Sequence, residues 1–126
     1  MGYDVHITRK EHWSDKIGND ISLSEWLALV QSDPDMRLDG FTEATTSNGD
    51  VIRIESGGLS VWTAYSGHIE ARNMAWFDFH RGRVVVKNPD MEIRQKMYQM
   101  AQRLRAKVQG DDGEYYGPDG QPEPES

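Results

Sequence analysis

The sequence predicts a single α+β domain, in which two helices pack on a mainly antiparallel sheet of four to six strands. Three observations predict this class: an alternating strand near the N-terminus, several short β-type runs in the middle, and two segments with helical caps. At 126 residues, with 28% charged and 37% hydrophobic residues, the composition is typical of one water-soluble domain. We expect this domain to span 1–117 and a flexible acidic tail, rich in Pro, Gly and Glu, to span 118–126.

The first strand is predicted at Tyr3–Arg9, because its side chains alternate in character. One side has Tyr3, Val5 and Ile7, and the other has Asp4, His6 and Thr8. Residues 10–20 are polar and contain Gly, Asn and Asp, which predicts a loop.

The first helix has a strong start signal. Ser22 and Glu25 stand at the two positions of a capping box, the first as N-cap and the second at the third helical position. We therefore expect a helix over Leu23–Ser32, which ends before Pro34 because the residue preceding a proline avoids helical geometry.

Two hairpins are predicted between residues 51 and 87. The first pairs Val51–Glu55 with Leu59–Tyr65 across a Ser-Gly-Gly turn. The second pairs Ala75–His80 with Arg83–Lys87 across a tight Arg-Gly connection. Together these four runs predict an antiparallel meander.

The second helix is predicted over 91–109, with Asn88 as its N-cap and Pro89 in its first turn. One apolar stripe is formed by Ile93, Met97, Ala101, Leu104 and Val108. This stripe predicts that the helix lies against the sheet. After the helix, residues 114–116 are expected to add a short edge strand.

Charge is distributed unevenly along the chain, whose net charge is −7. Residues 91–110 have one acidic and five basic side chains, whereas residues 111–126 have six acidic and no basic ones. The chain contains no cysteine, its N-terminus lacks the pattern of a signal peptide, and its longest apolar stretch is far shorter than the ~20 residues that span a bilayer. We therefore expect a cytoplasmic protein that does not enter the membrane.

No recognisable catalytic, metal or cofactor motif is present in the sequence. The four histidines lack the spacing of metal ligands, and the acidic residues after the first helix do not match a calcium loop. His6 beside Asp4 on one strand face is the best catalytic candidate, so a small enzyme or ligand-binding domain built on this strand is one alternative function. We otherwise expect no enzyme activity, no metal and no cofactor.

The basic segment 91–108 offers a second alternative, a nucleic-acid-associated module. A helix that packs on a sheet also needs a solvated face, which Lys and Arg supply, and the acidic remainder of the chain repels phosphate. Nucleic acid is therefore an unlikely partner.

Trp76 alternates with two phenylalanines; if these face the core, the indole is free to anchor a partner protein.

Three segments resemble a group of small, mostly uncharacterised bacterial cytoplasmic proteins. They are the opening strand Tyr3–Arg9, the stretch Gly82–Asp90 and the stretch Ala106–Glu114, and the likeness covers most of residues 1–116. Proteins of this kind resemble immunity proteins of polymorphic and contact-dependent toxin systems. The resemblance implies a protein that binds a cognate toxin domain and neutralises it by contact.

The charge pattern suits such a partner if the toxin is basic, for instance nuclease-like. Acidic groups would speed the encounter and aromatic side chains would slow dissociation. The candidate partner-binding residues are Asp111, Asp112, Glu114, Tyr115, Asp35, Asp39 and Trp76.

Overall fold

The computed structural model describes residues 3–38, 41–45, 47–55, 58–66 and 75–123. Its strands are β1 (Asp4–Thr8), β2 (Met36–Leu38), β3 (Phe41–Thr45), β4 (Val51–Glu55), β5 (Ser60–Trp62), β6 (Ala75–His80), β7 (Arg83–Lys87), β8 (Lys107–Gly110) and β9 (Tyr115–Tyr116). Its helices are α1 (Leu23–Ser32) and α2 (Met91–Arg103).

Seven strands form one antiparallel sheet in the order β2-β5-β6-β7-β1-β8-β9, and β3 pairs with β4 in a separate two-stranded sheet. The predicted α+β class is therefore confirmed, with a main sheet one strand larger than the four to six expected. The N-terminal strand β1 lies between β7 and β8, so it joins two parts of the sheet that are distant in sequence.

Both helices contribute to one apolar core against the sheet. Trp26 of α1 and Met97 of α2 are fully buried there with Ile7, Phe77 and Val84 of the strands. The capping box of α1 forms as predicted, since Ser22 accepts from the backbone of Glu25 and the Glu25 carboxylate accepts from the backbone of Ser22. Helix α1 has the predicted bounds.

One predicted hairpin is confirmed and the other is wrong. Strands β6 and β7 pair across the predicted turn. Strand β4 pairs with β3 instead of with β5, and β5 lies between β2 and β6. Alternation indicates that each run is a strand, but the identity of its neighbour depends on contacts that no local pattern contains.

Helix α2 is shorter than predicted and has a different cap. Asp90 is the N-cap and accepts from the backbone of Ile93, whereas Asn88 takes a positive φ of 48° and accepts from the backbone of Tyr3. The helix ends at Arg103, where Arg105 at φ 54° turns the chain into β8. The predicted basic helix 91–108 therefore divides into a helix and a strand, and Val108 reaches the core from the strand.

Residues 118–123 make ordered contacts, although the sequence predicts a flexible tail from 118. Tyr116 pairs with Pro122, and the backbone of Glu123 donates to Tyr115. Arg94 and Gln95 of α2 donate to the carbonyls of this segment, at 2.7 and 3.0 Å. The segment therefore lies along the outer edge of β9. The mobility of the segment and the domain boundary at 117 stay predictions.

Candidate functional site: the open face of the sheet

The face of the main sheet that points away from the helices is mostly polar, and we call it the open face. Its side chains come from the central strands and from the turn after β8: Trp76, Asp78, His80, Arg83, Val85, Lys87, Asp4, His6, Thr8, Gln109 and Asp111. The phenylalanines at 77 and 79 lie on the other side, as the alternation predicts.

The strand register places four of these side chains in one row across the sheet. Asp78 is opposite Val85, Val85 is opposite His6, and His6 is opposite Gln109. On the other side of β1, the backbone of Asp111 donates to the carbonyl of Asp4 at 3.0 Å. Trp76 lies outside this row, two residues before Asp78 on the same side of β6.

His6 lies at the centre of the open face and is only 2% exposed. Its Nε2 is 2.9 Å from Oδ1 of Asp111, and Nε of Arg83 donates to its Nδ1 at 3.3 Å. The indole of Trp13 stacks on the imidazole with centroids 4.1 Å apart and planes 8° from parallel. Because Nδ1 accepts from Arg83, the proton of the neutral ring is on Nε2 and is donated to Asp111.

Burial lowers the pKa of His6, and the charge of Arg83 lowers it further, against the opposing hydrogen bond to Asp111. For Asp111, burial by itself raises the pKa. The hydrogen bonds from His6 and from the backbone of Asp4 outweigh burial and leave the pKa of Asp111 below its usual value. Both effects favour a neutral imidazole beside an ionised carboxylate.

This arrangement resembles a catalytic His–Asp pair only in the hydrogen bond between the imidazole and the carboxylate. In such a pair the second ring nitrogen faces a nucleophile or a substrate proton. Here that nitrogen accepts from Arg83, whose guanidinium does not give up a proton near neutral pH. The geometry therefore favours a structural role, in which His6 holds β1, β7 and the turn after β8 together.

A shallow groove of about 340 Å³ lies over the open face beside His6. Asp4, Asp78 and His80 line it, so the strand face that the sequence identifies as a possible enzyme site has room for a small group.

The predicted acidic cluster lies in the turn between β8 and β9, not at a helix end as the longer predicted helix implied. Glu114 accepts hydrogen bonds from the hydroxyls of Tyr3 and Tyr116. Burial raises the pKa of both tyrosines, and the Glu114 carboxylate raises it further. With Asp111 bonded to His6, Asp112 is the one exposed acidic side chain of the three.

Tyr115 is 39% exposed beside this turn. Its hydroxyl donates to the carbonyl of Glu11, and Nζ of Lys107 lies 5.3 Å from the centre of its ring. Tyr115 therefore offers an aromatic surface whose orientation is already set by contacts within the chain.

The remaining candidates lie apart from this turn. Trp76 is 38% exposed on the open face. Asp35 is exposed just before β2, at the opposite end of the sheet from β9, and its carbonyl accepts from Thr63. Asp39 lies outside the described residues. The structure thus places Trp76 and Asp111 on the open face and separates Asp35 from them.

The basic residues of α2 are largely used inside the fold. Nζ of Lys96 is 2.6 Å from Oδ2 of Asp33, with both side chains mostly buried. Arg94 donates to the carbonyls of Pro89 and Gly120, and Arg103 donates to the hydroxyl of Ser32. These contacts join α2 to α1 and to the segment after β9.

Two contributors to the open face were not predicted as site residues. Trp13 covers His6, and Gln109 holds Trp13 in place by accepting from its backbone nitrogen at 2.7 Å. The same Gln109 amide donates to the carbonyls of Glu11 and Gly113. Trp13 and Gln109 lie 96 positions apart, so no local pattern links them, and the sequence predicts Gln109 in the second helix rather than in a strand.

Among the residues that the structure describes, no three His, Asp or Glu side chains meet as a metal site would require. Within the same residues, no helix is both long enough and apolar enough to cross a membrane.

In comparisons with known protein families, curated proteins and solved structures, no family, protein or structure matches this chain. The function is therefore inferred from the fold and from the open face.

Proposed function

We propose that this chain is an immunity-type protein that acts in the bacterial cytoplasm, binding and neutralising a cognate toxin through the open face. The observation that supports this proposal is that Trp76 is 38% exposed on the same sheet face as Asp78, Lys87 and Asp4. This face sets an exposed indole and charged groups of both signs on one rigid sheet surface.

Trp76 is the proposed anchor. A tryptophan offers a large apolar area with one hydrogen-bond donor, and such residues dominate the binding energy of many interfaces. Its position in the sheet limits the conformational entropy that binding would cost. Polar neighbours such as Asp78 and Lys87 keep this exposed face compatible with water before the partner arrives.

The proposed partner is basic, for instance a nuclease-like domain. The net charge of −7 favours encounter with a positive surface, and Asp112 and Asp35 are exposed contributors to that field. Asp112 lies in the turn that precedes Tyr115 near one end of the sheet, so these two residues extend the proposed interface toward β9.

The contacts favour this proposal over its alternatives. Arg83 occupies the ring nitrogen that a base at His6 would use, which argues against an enzyme built on Asp4 and His6. Lys96 and Arg94 of the basic segment bond within the fold, which leaves them poorly placed to contact nucleic-acid phosphates.

The test is co-expression with a toxin domain encoded beside the gene of this chain. We expect rescue of growth, and calorimetry with catalytically inactive toxin should give a 1:1 complex. Trp76→Ala should weaken binding by about 2 kcal/mol or more, as loss of an interface anchor does. Leu23→Ala is the matched control, because Leu23 is similarly exposed, at 40%, but lies in α1 on the helix side of the sheet.

Equal affinity of the Trp76→Ala and Leu23→Ala variants would move the interface away from the open face. Absence of both binding and growth rescue would reject the immunity function itself.

A further inference from the structure

A second feature lies beside the open face, where the loop 10–20 meets the turn between β6 and β7. A depression of about 520 Å³ is formed there, and we call it the basic notch after the four cationic side chains that line it: Lys10, Lys16, Arg81 and Arg83. Among the residues that the structure describes, two carboxylates line it, those of Asp15 and Asp20. The notch is therefore a region of excess positive charge on a chain whose net charge is −7.

The notch is held in shape by contacts on both sides. The backbone of Ile21 donates to the carbonyl of Gly82 at 2.9 Å, which joins the end of the loop to the turn. Gly82 has a φ of 81°, and a Cβ at this position would lie 2.4 Å from the Asp20 carboxyl carbon. Glycine therefore permits both the turn and the close approach of the loop.

The two carboxylates already have partners within the loop. Asp20 lies 3.2 Å from Nζ of Lys10, and Asp15 accepts from the backbone of His12 at 3.0 Å. Lys10 also donates to the carbonyl of Asp15. Neither carboxylate therefore neutralises the arginines on the opposite side of the notch.

Lys16 and Arg81 have no hydrogen-bond or ion-pair partner among the described residues. Arg83 is held by His6 through Nε and by the ring of Trp13, 5.2 Å from its guanidinium carbon. In the described part of the chain, its two terminal nitrogens have no hydrogen-bond acceptor. Arg81 and Arg83 both line the notch, and both have N–H groups with no hydrogen-bond acceptor among the described residues.

Burial lowers the pKa of Arg83 and the charge of Arg81 lowers it further, while the charges of Asp111 and Asp4 raise it. The charges of the two guanidinium groups repel each other across the notch. An anion between them would remove this repulsion and accept from both groups.

We propose that the basic notch binds a phosphate group, either free or as a small phosphomonoester. Arginine is suited to this ligand because its planar donors match the spacing of phosphate oxygens. A phosphomonoester has close to two negative charges at neutral pH, and the cations that line the notch outnumber its carboxylates. A nucleic-acid strand would instead place many charges against an acidic protein.

The site is testable by calorimetry on the full chain at constant ionic strength. Inorganic phosphate, ribose 5-phosphate and ribose are the three probes. We expect both phosphates to saturate one site and ribose to give no heat. If inorganic phosphate binds more tightly, the ligand is free phosphate; if ribose 5-phosphate binds more tightly, the ligand is a phosphomonoester.

Arg81→Gln is the diagnostic variant, because Arg81 is exposed and makes no contact that the fold requires. Losing hydrogen bonds to a charged group should weaken phosphate binding about tenfold or more. Arg105→Gln is the matched control, since Arg105 is also exposed, also has positive φ and lies outside the notch. Its affinity should equal that of the parent.

Three results would overturn the proposal. The first is that neither phosphate saturates a site below about 10 mM, a binding free energy of only roughly 3 kcal/mol. The second is equal weakening by Arg81→Gln and Arg105→Gln, which would indicate a diffuse charge effect. The third is tighter binding of a single-stranded oligonucleotide than of either phosphate, which would identify a polymer as the ligand. None of these results bears on toxin binding by Trp76.

Discussion

His6 shows how one buried residue can make a small domain sensitive to pH. Its imidazole is enclosed by Trp13, Asp111 and Arg83, and the ring is neutral because protonation of Nδ1 would remove a hydrogen bond and set two positive charges together. The alternation of β1 identifies His6 as a residue opposite the core-facing valine and isoleucine. Its burial could not be predicted, since Trp13 covers it from a loop of no regular pattern.

We expect the free energy of unfolding to decrease as the pH falls below about 6.5. The pKa of His6 is lower in the folded chain than its ordinary value of 6.5, so unfolding takes up a proton in this range. The contribution of His6 is therefore complete above pH 6.5 and is lost as the pH falls toward the folded pKa. Asp111 acts in a separate window, below its ordinary pKa of 3.8.

Urea unfolding between pH 7.5 and 5 measures this effect. His6→Gln should be less stable than the parent at pH 7.5 but should have a flatter pH profile. His80→Gln, which changes an exposed histidine of the same face, should retain the profile of the parent. A parent profile with the same slope as that of His6→Gln would contradict the assignment.

At the scale of elements, the segment after β9 acts as a cover for a strand edge. Gly120 is buried at φ 76°, and an added Cβ would lie 2.6 Å from the carbonyl oxygen of Met91 at the start of α2. The segment therefore fits against the helix closely, although its composition predicts a tail.

Gly120→Ala should destabilise the domain by at least about 1 kcal/mol, because it combines an unfavourable φ with a backbone clash. Gly49→Ala is the matched control, since Gly49 has a φ of 86° but nothing within 4 Å of an added Cβ. Thermal unfolding should give a lower midpoint for the variant at 120 than for the variant at 49. Equal midpoints would support the flexible tail that the sequence predicts.

Elements with local signals were predicted well, and those that depend on distant partners were not. The capping box at Ser22 and the proline at 34 determine both ends of α1. The end of α2 was predicted six residues too late, at 109 rather than 103, because nothing near Arg103 reveals that the following residues pair with β1. The open face follows the same rule: its alternation was visible, whereas the meeting of Trp13, His6 and Arg83 depended on the strand order.

For the whole molecule, the central place of β1 makes the two ends of the chain interdependent. Strand β1 pairs with β7 and β8, residues more than 75 positions away in sequence. Residue pairs such as Ile7 with Val108 lie together in the core. The sheet is therefore completed only when these late strands are present.

A chain ending at residue 106 should not fold cooperatively, because it lacks β8 and the turn that binds His6. Circular dichroism with thermal melting and limited proteolysis should show loss of the cooperative transition and rapid digestion. A chain ending at residue 123, which retains all described contacts, should behave like the parent. A cooperative transition in the shorter chain would indicate that β1 and β7 form a stable unit without β8.

The place of β1 also affects biosynthesis. At typical elongation rates of about 5–20 residues per second, the first strand waits roughly 5–20 s for its second neighbour to be made. During that interval Val5 and Ile7, which the native structure buries almost completely, remain accessible to chaperones and to other nascent chains. The yield of folded protein should consequently depend on how the nascent chain is protected, more than for a domain whose first strand pairs with its sequence neighbour.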